Sequence, residues 1–200
     1  MYLRYGKRLL DIVLVVVAAP VWVPVWVVSA LAVALLDGRP AHFRQDRIGL
    51  DEKTFKLVKL RTMREGPGND MARLTRAGRW MRRTSLDEIP QLLNVLRGDM
   101  SLVGPRPLFV RYLPYYHEHE RARHSVRPGI TGLAQVRGRN KLLWEERLGL
   151  DAEYANQVTL VMDLRILMET LRGLLSSSDI HIIPGEHQPP LDAVRARGSS

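Results

Sequence analysis

From Ile12 to Leu36 the chain carries no charged residue, and the run contains two prolines, Pro20 and Pro24. A bilayer core about 30 Å thick needs roughly 20 apolar residues in helix, so the run is long enough to cross once. Its prolines and flanks point elsewhere. Proline removes a backbone donor and clashes with the preceding turn, which divides the run near Pro24 into two halves of roughly a dozen residues, each reaching only about 18 Å. Arg4, Lys7 and Arg8 precede it and Arg39, Arg44 and Arg47 follow it, whereas a simple span leaves one side poor in basic residues. The pattern predicts a re-entrant helical hairpin dipping into one leaflet, with its freed backbone groups satisfied inside the protein. A kinked single span is the main alternative. A buried helix fits less well because the run is apolar all round, and a signal peptide fits least, with Asp11 at its entry and no small-residue cleavage site.

Beyond the run the pattern turns mixed. Asp37-Gly38-Arg39-Pro40 signals a turn, and strands are expected at His42 to Arg44 and Thr54 to Leu60 around Gly49-Leu50-Asp51-Glu52. Residues Arg64 to Ala72 read as an exposed loop. An arginine-rich helix follows over Thr75 to Arg83, with Trp80 and Met81 as its apolar contacts. Ser85 and Glu88 have capping-box spacing before a helix over Ile89 to Leu96, with Pro90 tolerated in its first turn. Leu108 to Arg123 looks helical and Arg127 to Asn140 reads as a glycine-rich loop. Val158 to Leu175 is a long apolar helix with Asp163, Arg165, Glu169 and Arg172 as polar positions, suited to a core or to a membrane surface. The tail from Gly185 reads as disordered.

The chain has 200 residues, a formal net charge of +9 and no cysteine. Absence of cysteine excludes disulfides, thiolate metal sites and cysteine nucleophiles. Basic residues beside an apolar anchor suit anionic head groups and phosphorylated substrates. Nucleic acid is the competing partner, but no zinc-finger, RNA-recognition or helix-turn-helix signature supports it. His117, His119 and His124 fit solvated helix positions better than a metal site, and Trp22, Trp26 and Trp144 fit interface or packing positions better than base-stacking ones.

The sharpest chemical candidates are Asp87 and Glu88. Carboxylates in a first helical turn commonly serve the macrodipole alone. The same donors would also keep Asp87 ionised, as an attacking carboxylate must be. Gly104-Pro105-Arg106-Pro107 places a rigid arginine after a glycine turn, and Arg137-Gly138-Arg139-Asn140 offers a second. Together they describe a diphosphate pocket beside two carboxylates, a setting that Mg²⁺ normally accompanies.

Lys7-Arg8 with Asp11, Gln45-Asp46-Arg47-Ile48-Gly49, Lys59-Leu60-Arg61-Thr62-Met63, Ser85-Leu86-Asp87-Glu88-Ile89-Pro90-Gln91-Leu92, Asn94 to Ser101, Val103-Gly104-Pro105-Arg106-Pro107 and Arg127-Pro128-Gly129-Ile130-Thr131-Gly132 resemble, in order, the bacterial sugar transferase family. More narrowly, the chain resembles a small monotopic phosphoglycosyl transferase. The resemblance implies that Asp87 attacks the β-phosphate of a UDP-sugar, releasing UMP and forming a covalent phosphosugar that polyprenol (undecaprenyl) phosphate then takes. It implies that Glu88 helps bind Mg²⁺ with Asp87 or manages protons, that Arg82, Arg106 and Arg139 hold phosphate oxygens, and that Lys7, Arg8 and Pro24 belong to the membrane and polyprenol-phosphate region. As an ordinary basic flank, Lys7 and Arg8 would only set topology.

Two departures stand out. Val23 precedes Pro24 where relatives often have serine, and Leu133 and Arg137 stand where tryptophan and asparagine are frequent. The fold expected is an α-rich α/β one: a re-entrant membrane hairpin over 1–38, a cytoplasmic catalytic domain over 39–184 with membrane-surface amphipathic helices, and a flexible tail over 185–200. The expected place is the cytoplasmic face of a bacterial inner membrane, with no nucleic-acid partner and with a homodimer allowed. A glycosyltransferase releasing UDP and a non-catalytic basic membrane scaffold are the alternative functions.

Overall fold

The computed structural model describes residues 2–67, 69–138, 142–175 and 189–196. A π-helical turn, Tyr2–Gly6, leads into α1 (Lys7–Val17) and then α2 (Ala19–Leu36). The two helices meet at Ala18, so the break lies upstream of both prolines and not at Pro24, which sits inside α2. Pro20 explains the shift. It occupies the first turn of α2, where a missing N–H costs nothing, while its ring prevents α1 from running on. Across the break the Trp22 indole Nε1 donates to the Val15 carbonyl at 2.9 Å, so a tryptophan answers a helix carbonyl where no serine is available.

α2 is long and apolar enough to cross a bilayer by length and composition, and it is mostly exposed. Val15 and Trp22 pack with Leu57, Val95 and Met100, and Val33 packs with Leu60 and Met81. At the start of α1, Lys7 pairs with Asp163 at 2.6 Å, both nearly buried. The beginning of α1 and the end of α2 therefore rest on the same body.

That body contains two small sheets. β1 (His42–Ile48) and β2 (Thr54–Leu60) form an antiparallel hairpin in which Ile48 faces Thr54, the first strand running four residues beyond the expected stretch. α3 (Asp70–Arg73) and α4 (Arg76–Arg83) follow, then a 3₁₀ turn at Leu86–Glu88 and α5 (Gln91–Arg97). β3 (Ser101–Val103) pairs in parallel with β4 (Gly129–Thr131). Between them the expected helix over Leu108 to Arg123 is two 3₁₀ segments, Val110–Tyr115 and Glu118–His124. Pro114 helps explain this, because it cannot donate to a continuous α-helical ladder. His124 is buried and packs edge-on against Tyr116, 5.0 Å between centroids, so it is not a solvated position.

The expected loop over Arg127 to Asn140 contains β4 and α6 (Leu133–Arg137), with Asn140 outside the described residues. α7 (Trp144–Asn156) has no counterpart in the sequence reading. It buries Trp144, Leu148 and Tyr154 and joins two hydrophobic clusters. α8 (Leu160–Leu175) buries Asp163 and Ile166 and exposes Val161, Leu164, Met168 and Leu171, so its apolar stripe faces outward. α9 (Leu191–Ala196) corrects the disordered tail over its own span: Leu191 is fully buried beside Trp144, and Arg195 pairs with Glu120.

Candidate active site

Four backbone features bring the site together. Lys59 lies on β2 between buried Val58 and Leu60, which points it to the opposite side of the strand. Asn94 of α5 holds that strand: its Oδ1 accepts from Val58 N at 3.1 Å and its Nδ2 donates to the Lys56 carbonyl at 2.8 Å. α4 packs where β2 ends. Thr75 caps it by accepting from Gly78 N, and a Cβ on Gly78 would stand 2.0 Å from the Thr62 carbonyl, so only glycine permits the approach. Arg82, on the same helix, donates from Nε to Thr62 Oγ1 at 3.0 Å.

Ser85 then takes a left-handed conformation, φ 56°, and makes no side-chain cap. The capping box expected from Ser85 and Glu88 is therefore absent, because a serine in this conformation turns the chain instead of starting a helix. Glu88 is engaged elsewhere. Its Oε1 lies 2.6 Å from Lys59 Nζ and 2.6 Å from Arg106 Nη2. Asp87 is buried, 3.9 Å from Lys59 Nζ.

Arg106 comes from the turn after β3. Gly104 N donates to the Thr131 carbonyl, Gly129 N to the Pro105 carbonyl, and Arg123 to the Arg106 carbonyl at 2.7 Å. Arg123 is itself fixed by Asp151 of α7 at 2.8 Å. Arg47 of β1 is stacked 3.7 Å from the centre of the Phe109 ring and bonded to Gln45.

The two carboxylates differ in electrostatics. Burial pushes Glu88 upward, but Arg106 and Lys59 outweigh it and hold it well below the usual range. Burial raises Asp87, and the Glu88 charge adds to this, while Lys59, Arg82 and Arg106 pull the other way without cancelling it. The sequence reading looked to helix-terminal donors to keep Asp87 ionised; in the fold desolvation is the larger influence and acts in the opposite direction. Burial also lowers Arg82, and Arg47 is brought down to about 10 by burial and by the neighbouring Arg106 charge. Cations outnumber carboxylates here, which suits a doubly charged phosphate ligand.

The structure brings Asp87, Glu88, Arg82 and Arg106 together. Arg139 lies outside the described residues. Lys7 and Arg8 are engaged away from this cluster: Lys7 with Asp163, Arg8 with the carbonyls of Val95 and Leu96. Pro24 is inside α2. Sequence reasoning gave no role to Lys59, Arg47 or Asn94. For Lys59 the signal was a lysine flanked by apolar neighbours within a strand pattern.

Comparison with known proteins identifies the family. Residues 2–177 match the model of the bacterial sugar transferase family. The chain is 46% identical over 180 residues to an uncharacterized sugar transferase, EpsL, of Bacillus subtilis, covering 87% of this chain and 89% of that one. It is 42% identical over 193 residues to a UDP-glucose:undecaprenyl-phosphate glucose-1-phosphate transferase of Caulobacter vibrioides, covering 88% and 72%. To a protein of the same description from Escherichia coli it is 41% identical over 185 residues, covering 84% of this chain and 40% of that longer one. The chain belongs to the bacterial sugar transferase family.

Proposed function

We propose that this protein is a phosphoglycosyl transferase that moves a sugar 1-phosphate from a UDP-sugar to polyprenol phosphate, the first membrane step of glycoconjugate or exopolysaccharide assembly. The observation that carries the reading is a buried carboxylate, Asp87, beside Lys59, Arg82, Arg106 and the ion-paired Glu88. Relatives described as undecaprenyl-phosphate glucose-1-phosphate and galactose phosphotransferases support the donor and acceptor classes.

An ionised Asp87 oxygen attacks the β-phosphorus of the donor. The bond from that phosphorus to the oxygen bridging the two phosphates breaks, and UMP leaves with its electron pair. A phosphate oxygen of polyprenol phosphate then attacks the same phosphorus and frees Asp87. Desolvation favours the attack, since a carboxylate whose pKa is raised is the stronger nucleophile. Lys59, Arg82 and Arg106 stabilise phosphoryl charge as it shifts, with Arg139 as the expected fourth cation. Glu88 keeps Lys59 and Arg106 in position.

Asp87 and Glu88 are hard oxygen donors of the kind Mg²⁺ takes through one or two carboxylates, with substrate phosphates completing the set. They would hold the ion, which when bound neutralises diphosphate charge. The exposed apolar faces of α1, α2 and α8 support seating in one leaflet, with residues 1–38 as a re-entrant hairpin and 39–184 on the cytoplasmic face of the inner membrane. Lys7 and Arg8 then lie at the head-group end of α1, next to the polyprenol-phosphate path.

The test is nucleotide release by purified protein with Mg²⁺, undecaprenyl phosphate and a panel of UDP-sugars. UMP release lost in Asp87→Asn supports the reading; UDP release would replace it with a glycosyltransferase, and equal release by both proteins would remove Asp87 from the chemistry. Topology is tested separately: single cysteines at positions 3 and 190 should react only from the cytoplasmic side, and reaction from opposite sides would rule out the hairpin.

A further inference from the structure

We infer that the outward face of α4 is a contact surface for acidic lipid head groups. The inference rests on the membrane seating above and adds a lipid-charge requirement to it. Arg76, Arg79, Trp80 and Arg83 stand at i, i+3, i+4 and i+7, so they share one side of this eight-residue helix, and all four are exposed. Trp80 is 56% exposed although Met81, next to it, is fully packed. The helix therefore divides its arginines: Arg82 turns inward to Thr62 and the Asp87 cluster, and the other three turn out. None of Arg76, Arg79 and Arg83 takes part in the ion pairs found among the described residues.

The position of α4 selects the partner. Its capping residue Thr75 donates to Asp37 Oδ2 at 2.7 Å, and Asp37 directly follows α2. Met81 packs on Val33 of α2. Leu35 and Leu36, 84% and 72% exposed, end the apolar helix beside it. α4 thus begins where the lipid-facing segment ends, the level at which head groups meet water. Tryptophan favours that layer and arginine attracts anionic lipid there. Nucleic acid or an acidic protein would match the charge, but neither would account for the continuous step from exposed leucines to exposed tryptophan to arginines. Because Arg82 belongs to the same helix, lipid contact on the outer face would hold the inner face level with a membrane-borne phosphate.

The absence of native cysteine gives a clean test. A spin label is placed at Thr84→Cys, one turn beyond Trp80, in full-length protein in nanodiscs of phosphatidylcholine alone or with phosphatidylglycerol. Accessibility to oxygen and to a water-soluble nickel complex is then read. The expected result is loss of nickel accessibility in discs containing phosphatidylglycerol, and its return in neutral discs or when Arg76, Arg79 and Arg83 are all changed to glutamine. Labels at Val28→Cys and Glu118→Cys calibrate acyl-chain and aqueous depth. If the Val28 label is deep while the Thr84 label stays aqueous in every disc, the inference is overturned and the membrane seating stands; if the Val28 label is aqueous, the seating itself fails and the inference with it. Protection in neutral and acidic discs alike, with dipolar coupling between Thr84 labels, would assign the face to a second copy and also overturn it.

Discussion

Lys59 places its ammonium 2.6 Å from Glu88 Oε1, and through this pair one strand and one 3₁₀ turn form a charged wall beside the buried Asp87. The same ammonium is 3.9 Å from Asp87, so its charge is shared between a carboxylate it binds and one it influences at a distance.

That sharing sets a pH dependence. Asp87 must be ionised to attack, its pKa is raised by burial, and Lys59 works to lower it. Activity should rise with pH through the Asp87 titration. Replacing Lys59 with methionine removes a charge that favours ionisation, so the acidic limb should move to higher pH as well as losing height. Single-turnover UMP release across pH measures both effects. An unchanged limb would mean that Lys59 does not act on Asp87.

Asp87→Asn should abolish turnover without lowering thermal stability at neutral pH. Folding raises this carboxyl above its unfolded value, so the native state binds its proton more readily than the unfolded state does. Stability contributed by the group therefore falls as pH rises through the window above its unfolded value. A neutral amide lacks that slope, and thermal melts at several pH values will show whether the variant is the flatter of the two.

A third expectation concerns glycines. A Cβ on Gly129 would stand 2.1 Å from Gly104 N, and one on Gly104 would stand 2.4 Å from the Arg127 carbonyl. These are backbone neighbours in the β3–β4 contact, which cannot swing aside as a side chain would. Gly129→Ala should cost about 2 kcal/mol or more, in the range of overpacked sites. It should also weaken UMP binding, because the Gly104–Arg106 turn is bonded to this strand. Chemical denaturation and calorimetric titration read the two effects.

The Lys7–Asp163 pair joins α1 to α8 across 156 residues, with Tyr154 donating to the same carboxylate at 2.7 Å. Removing one partner leaves a buried charge alone, which typically costs about 3–5 kcal/mol. Asp163→Asn should therefore lower the melting temperature more than Lys7→Met with Asp163→Leu together. A larger loss in the double variant would show that the pair acts by more than mutual neutralisation.

The sequence carried the local parts of this structure well. The β1–β2 hairpin followed from its turn residues, α4 from an arginine-rich stretch with Trp80 and Met81 as its apolar contacts, and the grouping of Asp87, Glu88 and Arg106 from charge, with Arg82 added by the family resemblance. What it did not carry depends on distant contacts. Ser85 reads as a cap until its left-handed backbone is seen, and Pro24 reads as the break although Pro20 ends the preceding helix first. Asn94 gained meaning only against Val58, 36 residues away. The raised Asp87 came from burial beneath segments remote in the chain, which local helix arguments do not include.

The most direct measurement is to incubate the purified protein with a UDP-sugar radiolabelled in its β-phosphate, without acceptor, and to map the modified peptide by mass spectrometry. A phosphosugar adduct on Asp87, formed with release of UMP and discharged by added undecaprenyl phosphate, is the predicted result. Turnover to the lipid-linked product with no adduct on Asp87, or with full activity retained in Asp87→Asn, would contradict the account.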